Sequence, residues 1–312
     1  MPLFAAFSHA IRQNLENIML TASEIKARDI TLSIWFRRFN TTILTIVLLV
    51  FTLLVIGPFI WMIMMSLRTT GEILINPYGL PTVMRWQNYT KLLFDPSIRF
   101  YQYFVNSLIV TSLSVVLCIF FSTLAGYGFG RKRYNFKYRG WLFALLLFAL
   151  MLPQQILYIP QFTMMANYGL INTRWSLILL YAALGLPVST YLMSTYFSQL
   201  PSEIEDAALI DGCNDFMMFW KVMLPLARPA LSTVILTNSL GFWNELLLSL
   251  TMVTKPEMRT LPAAMMMFVG ENAADYAMAA TSLVAAMLPI LILYLLLSEK
   301  FIQGMTAGAL KG

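Results

Sequence analysis

An all-α protein that crosses a membrane repeatedly is the fold this sequence predicts, on three observations. Of its 312 residues, 59% are hydrophobic and 12% charged, against about 45–50% and about 25% in an ordinary soluble domain. Apolar runs long enough to cross a hydrocarbon core of roughly 30 Å recur near 43–67, 104–129, 141–165, 174–197, 230–251 and 277–298. Their length selects helix over barrel strand, because a spanning strand needs only about 9–11 residues.

The expected order is a cytoplasmic segment at 1–42, a six-span domain at 43–298 and a cytoplasmic tail at 299–312, with a cytoplasmic helix-turn-helix loop at about 198–229 inside the domain. The first segment lacks the continuous apolar stretch of a signal peptide and mixes Arg12, Glu16, Glu24, Lys26, Arg28 and Asp29 with scattered Leu and Ile, so the N-terminus is expected to stay inside. A surface-lying amphipathic helix is the expectation for it. Six spans put both termini on one side, and most of the 21 Lys and Arg fall on that side. Pro58, Pro153, Pro160, Pro187 and Pro289 lie inside the apolar runs and predict kinks rather than breaks. Gly126 and Gly130, spaced i, i+4, predict close approach of span 2 to another helix. Between spans 2 and 3, Arg131, Lys132, Arg133, Lys137 and Arg139 occur with no acid among them and read as a topology and lipid-headgroup anchor. These anchors account for much of the net charge of +6, which leaves nucleic acid without a case as a partner.

Several chemistries are excluded by composition. Cys118 lies in span 2 and Cys213 in an inside loop, so they do not read as a disulfide framework. The single histidine, His9, is far from any cluster, which removes His-based metal sites and Ser/His hydrolysis. No phosphate-binding G-x-x-x-x-G-K-[ST] occurs, so any ATP hydrolysis belongs to another chain, and this one is not expected to be an enzyme or to carry a cofactor or metal. The 21 methionines read as adaptable core filler.

The stretch SEIEDAALIDGCNDFMMFWKVMLP, 202–225, places Glu203, Glu205, Asp206, Asp211 and Asp215 between two apolar runs. Ser202 with Glu205 three residues on reads as a capping box, and acids in the first turn suit the positive end of the helix dipole. Gly212 then stops the helix. Asn214 or Asp215 can cap a second one running through Phe216, Phe219, Trp220 and Val222 until Pro225 ends it. Ala207 and Ala208 leave a small surface over which another protein can approach, flanked by acids. A solvated linker with a charged face is the other reading of composition alone.

The spacing of that loop resembles a known signature. Asp206-Ala207-Ala208, three residues, Gly212, nine residues, then Val222-Met223-Leu224-Pro225 is similar to the E-A-A-x3-G-x9-I-x-L-P pattern of permease subunits in binding-protein-dependent ABC importers, with Asp206 in place of the usual Glu and Val222 in place of Ile. NPYGLPTVMRWQNYTKLLF, YFVNSLIVTSL, WNELLLSL and FIQGMTAGALKG also look like the carbohydrate branch of that family, maltose-type and glycerol-phosphate-type, and within it the smaller of two paired permeases. The resemblance implies that the loop is a coupling helix seated in a cleft of a cytoplasmic ATPase dimer, where ATP and Mg are bound, through Glu205, Asp206, Ala207, Ala208, Asp211, Gly212, Leu224 and Pro225. It also implies a second, larger permease, an extracytoplasmic solute-binding protein, a carbohydrate substrate, an inner-membrane location and transport by alternating access.

A route for sugars needs hydrogen-bonding groups interleaved with aromatic faces. On span 5, Asn238, Phe242, Glu245 and Ser249 follow i, i+4, i+7, i+11 and are expected to share one stripe. Glu245 is the one acid placed within a span and so a functional candidate, with structural pairing near the outer interface as the other reading. Trp243 and Asn244 point elsewhere and read as packing. On span 3, Gln154, Gln155 and Tyr158 make a second polar patch beside Pro153 and Pro160. A self-contained ion-coupled carrier or channel is the alternative class; it would show several intramembrane charges and often an inverted repeat. A membrane-embedded enzyme comes third.

Overall fold

The computed structural model describes residues 41–268 and 275–309, and no strand occurs among them. The first forty residues, and with them the surface helix expected there, lie outside the described residues. Helix α1, Thr41–Ser66, runs for 26 residues, roughly 39 Å at 1.5 Å per residue, and Pro58 leaves it continuous. Up to Met62 it forms a unit of its own, and the described residues from Ile63 onward form the other.

Within that second unit, α2 (Thr70–Ile75) opens on a capping box that the sequence reading placed elsewhere. The Thr69 hydroxyl accepts the Glu72 amide at 3.2 Å, and the Glu72 carboxylate accepts the Thr69 amide at 3.0 Å. A hydrogen bond from Thr82, followed by that from the Thr69 amide, holds the Glu72 carboxyl below the usual carboxylate range. Helix α3 (Gln87–Phe94) is tied back by Asn88, whose amide donates to the carbonyls of Ser66 and Arg68.

The long helices follow. Helix α4 (Phe100–Gly130) and α7 (Arg174–Gln199) are single helices long and apolar enough to span, as are α1 and the Tyr276–Ser298 part of α13 (Tyr276–Ala309). Between α4 and α7 lie α5 (Arg139–Phe148) and α6 (Tyr158–Asn167), which with their flanking 3-10 turns bend by 97° about Pro153. One kinked span was expected at 141–165. Proline removes an amide donor and drives the preceding residue out of the helical region, and Leu152 is extended at φ −80°, ψ 123°, so the chain breaks there. After α8 (Glu203–Ile210), α9 (Asp215–Leu226) turns through 74° at Ala227 into α10 (Arg228–Trp243). The expected fifth span, 230–251, is interrupted as well: α10 ends at Trp243 and α11 (Leu247–Met252) begins after a three-residue break. Helix α12 (Leu261–Met265) precedes α13, which continues beyond the expected end at 298. Among the described residues four single helices are long and apolar enough to cross a membrane, or up to six spans if each of the two bent pairs is counted as one, the second pair drawing on α9 rather than on the expected stretch to 251.

Helices α4 and α7 form the centre of this unit. A Cβ added at Gly126 would lie 2.5 Å from Met193 Cβ, and one at Gly130 would lie 2.6 Å from the Ser194 carbonyl oxygen, so the two glycines do allow the close approach predicted for them. Ser114 in α4 donates to its own Val110 carbonyl and reaches the Ile178 carbonyl of α7 at 3.2 Å. Trp243 packs as expected: it is buried and donates its indole N–H to Ala286 in α13 at 3.0 Å.

Candidate functional site

Two places in the unit carry the polar residues singled out by sequence. The first is the loop of α8 and α9. At its turn, Gly212 sits at φ +80°, its amide donates to Leu209 and the Cys213 amide donates to Ala208. That is a Schellman end, which favours glycine because a left-handed backbone costs other L-residues roughly 1–2 kcal/mol. Nothing crowds a Cβ there, so the cost of substitution is conformational. Gly212→Val is expected to leave the chain in the membrane while lowering solute uptake, measured in vesicles against membrane abundance; unchanged uptake would show that the turn geometry is dispensable.

Asn214, one of the two candidates, caps α9 by accepting the Met217 amide at 2.8 Å, while Asp215 instead takes a bond from Arg133 at 2.9 Å. The middle of α9, Met218–Met223, is wound as a π-helix, and Pro225 is accommodated before the helix ends. Around it, Met193, Phe197, Met218, Phe219 and Met223 pack with Tyr127 and Ala208.

Glu205 departs from expectation. Ser202 makes no side-chain cap, so the capping box is absent. The Glu205 carboxylate turns inward, 4% exposed, where Oε2 accepts from Arg131 Nε at 2.9 Å and Nη2 at 2.6 Å, and Oε1 accepts the Tyr127 hydroxyl at 2.9 Å. It is therefore not available to a partner protein. Arg131 is equally displaced from its expected role as a headgroup anchor, since it is buried, and Arg133 and Arg139 are also engaged within the chain, on Asp215 and on the Phe129 carbonyl. Burial pushes the neighbouring Tyr134 phenol up. Of the remaining loop candidates, Asp206, Ala207, Asp211 and Gly212 are exposed, Leu224 and Pro225 are half-buried and Ala208 is buried. Sequence reasoning missed Ile210 and Phe216, which stand 87% and 72% exposed on the same loop.

The second place is a cavity of about 230 Å³ between α7, α10 and the turn before α6, lined among others by Gln154, Tyr181, Gly185, Asn238, Phe242 and Glu245. Asn238 donates to Ser189 and to its own Val234 carbonyl, both at 2.8 Å, and the Cys118 thiol lies 3.4 Å from the same Ser189 hydroxyl. Tyr181 and Phe242 stack with ring centres 5.5 Å apart. Both Glu245 oxygens are engaged: Leu248 and Ser249 donate their amides at 2.9 and 3.2 Å, and the Tyr181 hydroxyl donates at 2.9 Å. Glu245 thus caps α11 while facing the cavity.

The predicted stripe does not persist past Glu245. Because α10 ends at Trp243, Ser249 is turned into the interior, where it accepts the Thr260 hydroxyl at 2.7 Å. Gln155 is exposed and Tyr158 is half-buried against the apolar cluster that contains Tyr181, so neither lines the cavity with Gln154. Tyr181, Gly185 and Ser189 were missed, since the sequence reading searched α7 for apolar character alone.

Bent apolar helices around a largely apolar cavity that carries a few polar groups, together with a structured polar loop, are the parts that a membrane translocation subunit needs. The chain belongs to the family of binding-protein-dependent transport system inner membrane components, whose pattern matches residues 118–305. It is 32% identical over 266 residues to the diacetylchitobiose uptake system permease protein NgcG of Streptomyces coelicolor, covering 85% of this chain and 87% of the relative. To the arabinooligosaccharides transport system permease protein AraQ of Bacillus subtilis it is 33% identical over 272 residues, covering 86% and 95%. Its fold matches, with a TM-score of 0.71, a chain in the crystal structure of a bacterial ABC transporter involved in the import of alginate, at 22% identity and 85% and 97% coverage. It is accordingly a multi-pass inner-membrane permease subunit of an ABC import assembly, a transport component and not an enzyme.

Proposed function

We propose that this chain carries a saccharide inward by alternating access, driven by a cytoplasmic ATPase dimer that binds ATP and Mg and seats the α8–α9 loop in its cleft. A second permease completes the route and an extracytoplasmic binding protein delivers the solute. The observation that carries the reading is the outer face of the loop, where Ile210 and Phe216 stand exposed beside Asp206, Ala207 and Asp211. Large apolar side chains rimmed by polar ones mark protein contacts. With the loop taken as cytoplasmic, both termini fall on the same side.

The substrate class is supported by the cavity. Phe242, backed by the buried Tyr181 stacked on it, offers a ring face, and the Gln154 amide and the Asn238 side-chain oxygen offer polar groups, the combination that a neutral polyhydroxylated ring needs. The relatives named for chitobiose and arabinooligosaccharide uptake support it further. At about 230 Å³ the cavity is below the roughly 300–1,000 Å³ of complete ligand sites, which fits one wall of a route shared with a second permease.

The test is reconstitution of the four components in vesicles with a panel of labelled oligosaccharides. ATP-dependent, binding-protein-dependent uptake of a member of the panel is expected, and uptake by this chain alone would refute the reading. The same preparation tests the loop. Asp206 is exposed, and a charge-assisted bond to a basic group in the cleft is worth about 1.5–3 kcal/mol. Asp206→Ala should weaken association with the ATPase by about ten- to a hundredfold, and Asp206→Lys should weaken it more. Unchanged association of both variants would leave Ile210, Phe216 and Ala207 as the docking surface.

A further inference from the structure

We propose that Arg131 is the positioning residue that carries displacement of the loop into the spans, by clamping α8 to the ends of α4 and α7. The proposal rests on the docking reading above and adds the path by which movement leaves the loop.

The geometry centres on one guanidinium. Arg131 follows the last residue of α4. Nε and Nη2 donate to Glu205 Oε2 at 2.9 and 2.6 Å; Nη1 donates to the carbonyls of Phe197 and Leu200 at 2.9 and 2.6 Å; Nη2 also reaches the Pro201 carbonyl at 3.4 Å. A guanidinium has five N–H donors, and these bonds use all of them. Three segments meet on it: the end of α4, the last carbonyls of α7 with the residues after them, and the first turn of α8. Tyr127, one turn earlier on α4, holds the other carboxylate oxygen, and both side chains of the ion pair are 6% exposed.

Stability alone does not account for this arrangement. A buried ion pair contributes no more to stability than apolar side chains of similar volume, because desolvation offsets the attraction. What a forked, fully bonded pair supplies is fixed direction. The rest of the interface lacks that property: Ala208 packs in a cluster with Met193, Met218 and Met223, and methionine adapts to displacement. A pull on α8 opposed only by such contacts would slide the helix across them. With Glu205 held, the pull passes to α4 and α7, which Gly126 and Gly130 already bring into backbone contact.

The experiment uses the full reconstituted complex and reads solute moved per ATP hydrolysed. Arg131→Met, Glu205→Met and Tyr127→Phe are combined, which removes the pair while keeping volume and leaving no buried charge unpaired. None of the three side chains faces the partner, so assembly and ATP hydrolysis are expected to stay near the parent level. The transport-to-hydrolysis ratio is expected to fall about tenfold, within the range of ordinary coupling free energies. An unchanged ratio would overturn the proposal. Should the triple variant fail to reach the membrane, Arg131→Lys decides in the same assay: it keeps the charge but has three donors on one nitrogen, too few to keep both bonds to Glu205 and those to the Phe197 and Leu200 carbonyls. A fall in its ratio supports the clamp, and a parental ratio overturns it. Failure of the docking reading is distinguishable, since a cross-linker placed at the exposed Ile210 or Phe216 would then not capture the ATPase in the otherwise unmodified complex, whatever the transport-to-hydrolysis ratio of the Arg131 variants.

Discussion

Valine at Gly126 or Gly130 is expected to strip the protein from the membrane. At Gly126 the first added carbon would lie 2.5 Å from Met193 Cβ and 3.0 Å from the Ser194 amide nitrogen; at Gly130 it would lie 2.6 Å from the Ser194 carbonyl oxygen and 2.9 Å from Phe197 Cβ. These neighbours are backbone or Cβ atoms of α7, so they cannot swing away as a side-chain tip would. Relief requires the helices to part. Overpacking an interior typically costs about 1–3 kcal/mol, and parting α4 from α7 also draws Arg131 away from the Phe197 and Leu200 carbonyls. Gly128, on the same helix, has nothing within 4 Å of an added Cβ and supplies the control. Membrane abundance and thermal retention in detergent should fall for Gly126→Val and Gly130→Val and hold for Gly128→Ala. Equal abundance of all three would mean that the α4–α7 contact is looser than described.

The approach of these helices was legible in the sequence because it depends on residue size at helical spacing, which composition displays directly. Loop architecture was legible for a similar reason: Gly212 and Asn214 act locally, through backbone conformation and a bond spanning three residues. What was not legible depended on partners distant in the chain. Glu205 three residues after Ser202 satisfies the pattern of a capping box, yet Arg131, 74 positions away, offers it a stronger charged bond, and nothing local discloses that choice. The local motif formed instead at Thr69 and Glu72, where the carboxylate accepts the Thr69 amide and the Thr82 hydroxyl rather than a guanidinium.

The cavity was half legible. Asn238, Phe242 and Glu245 were found by assuming one unbroken helix, and that assumption held up to Trp243 and no further. Beyond it, Ser249 was assigned to the wrong side because a helical period projects correctly only while the helix lasts. Tyr181 and Gly185 were overlooked because an apolar run shows no polar stripe when its contribution to a cavity is a ring face and an absent side chain. Gly185 marks that absence: an added Cβ would lie 2.4 Å from Asn238 Oδ1 and 2.8 Å from the Phe242 ring.

Replacing Glu245 with leucine is expected to reduce both uptake and thermal stability, because the carboxylate serves the chain before it serves any solute. The amides of Leu248 and Ser249 and the Tyr181 hydroxyl all donate to it, and all three residues are buried. A buried donor left without an acceptor costs about 1–3 kcal/mol, so losing three acceptor contacts at once should fray the start of α11. Release of Tyr181 should also disturb its stack on Phe242, which forms part of the cavity wall. Glu245→Gln separates these effects from charge. Its amide oxygen can still accept from the helix start, while the negative charge is gone; a neutral saccharide gives that charge no necessary role in recognition. The glutamine variant is therefore expected to keep the parent's thermal retention and most of its uptake, and the leucine variant to lose both. Should glutamine abolish uptake while stability is preserved, the carboxylate charge itself would act on the solute or on an accompanying cation, and the assignment of Glu245 as the cap that shapes the cavity would be withdrawn.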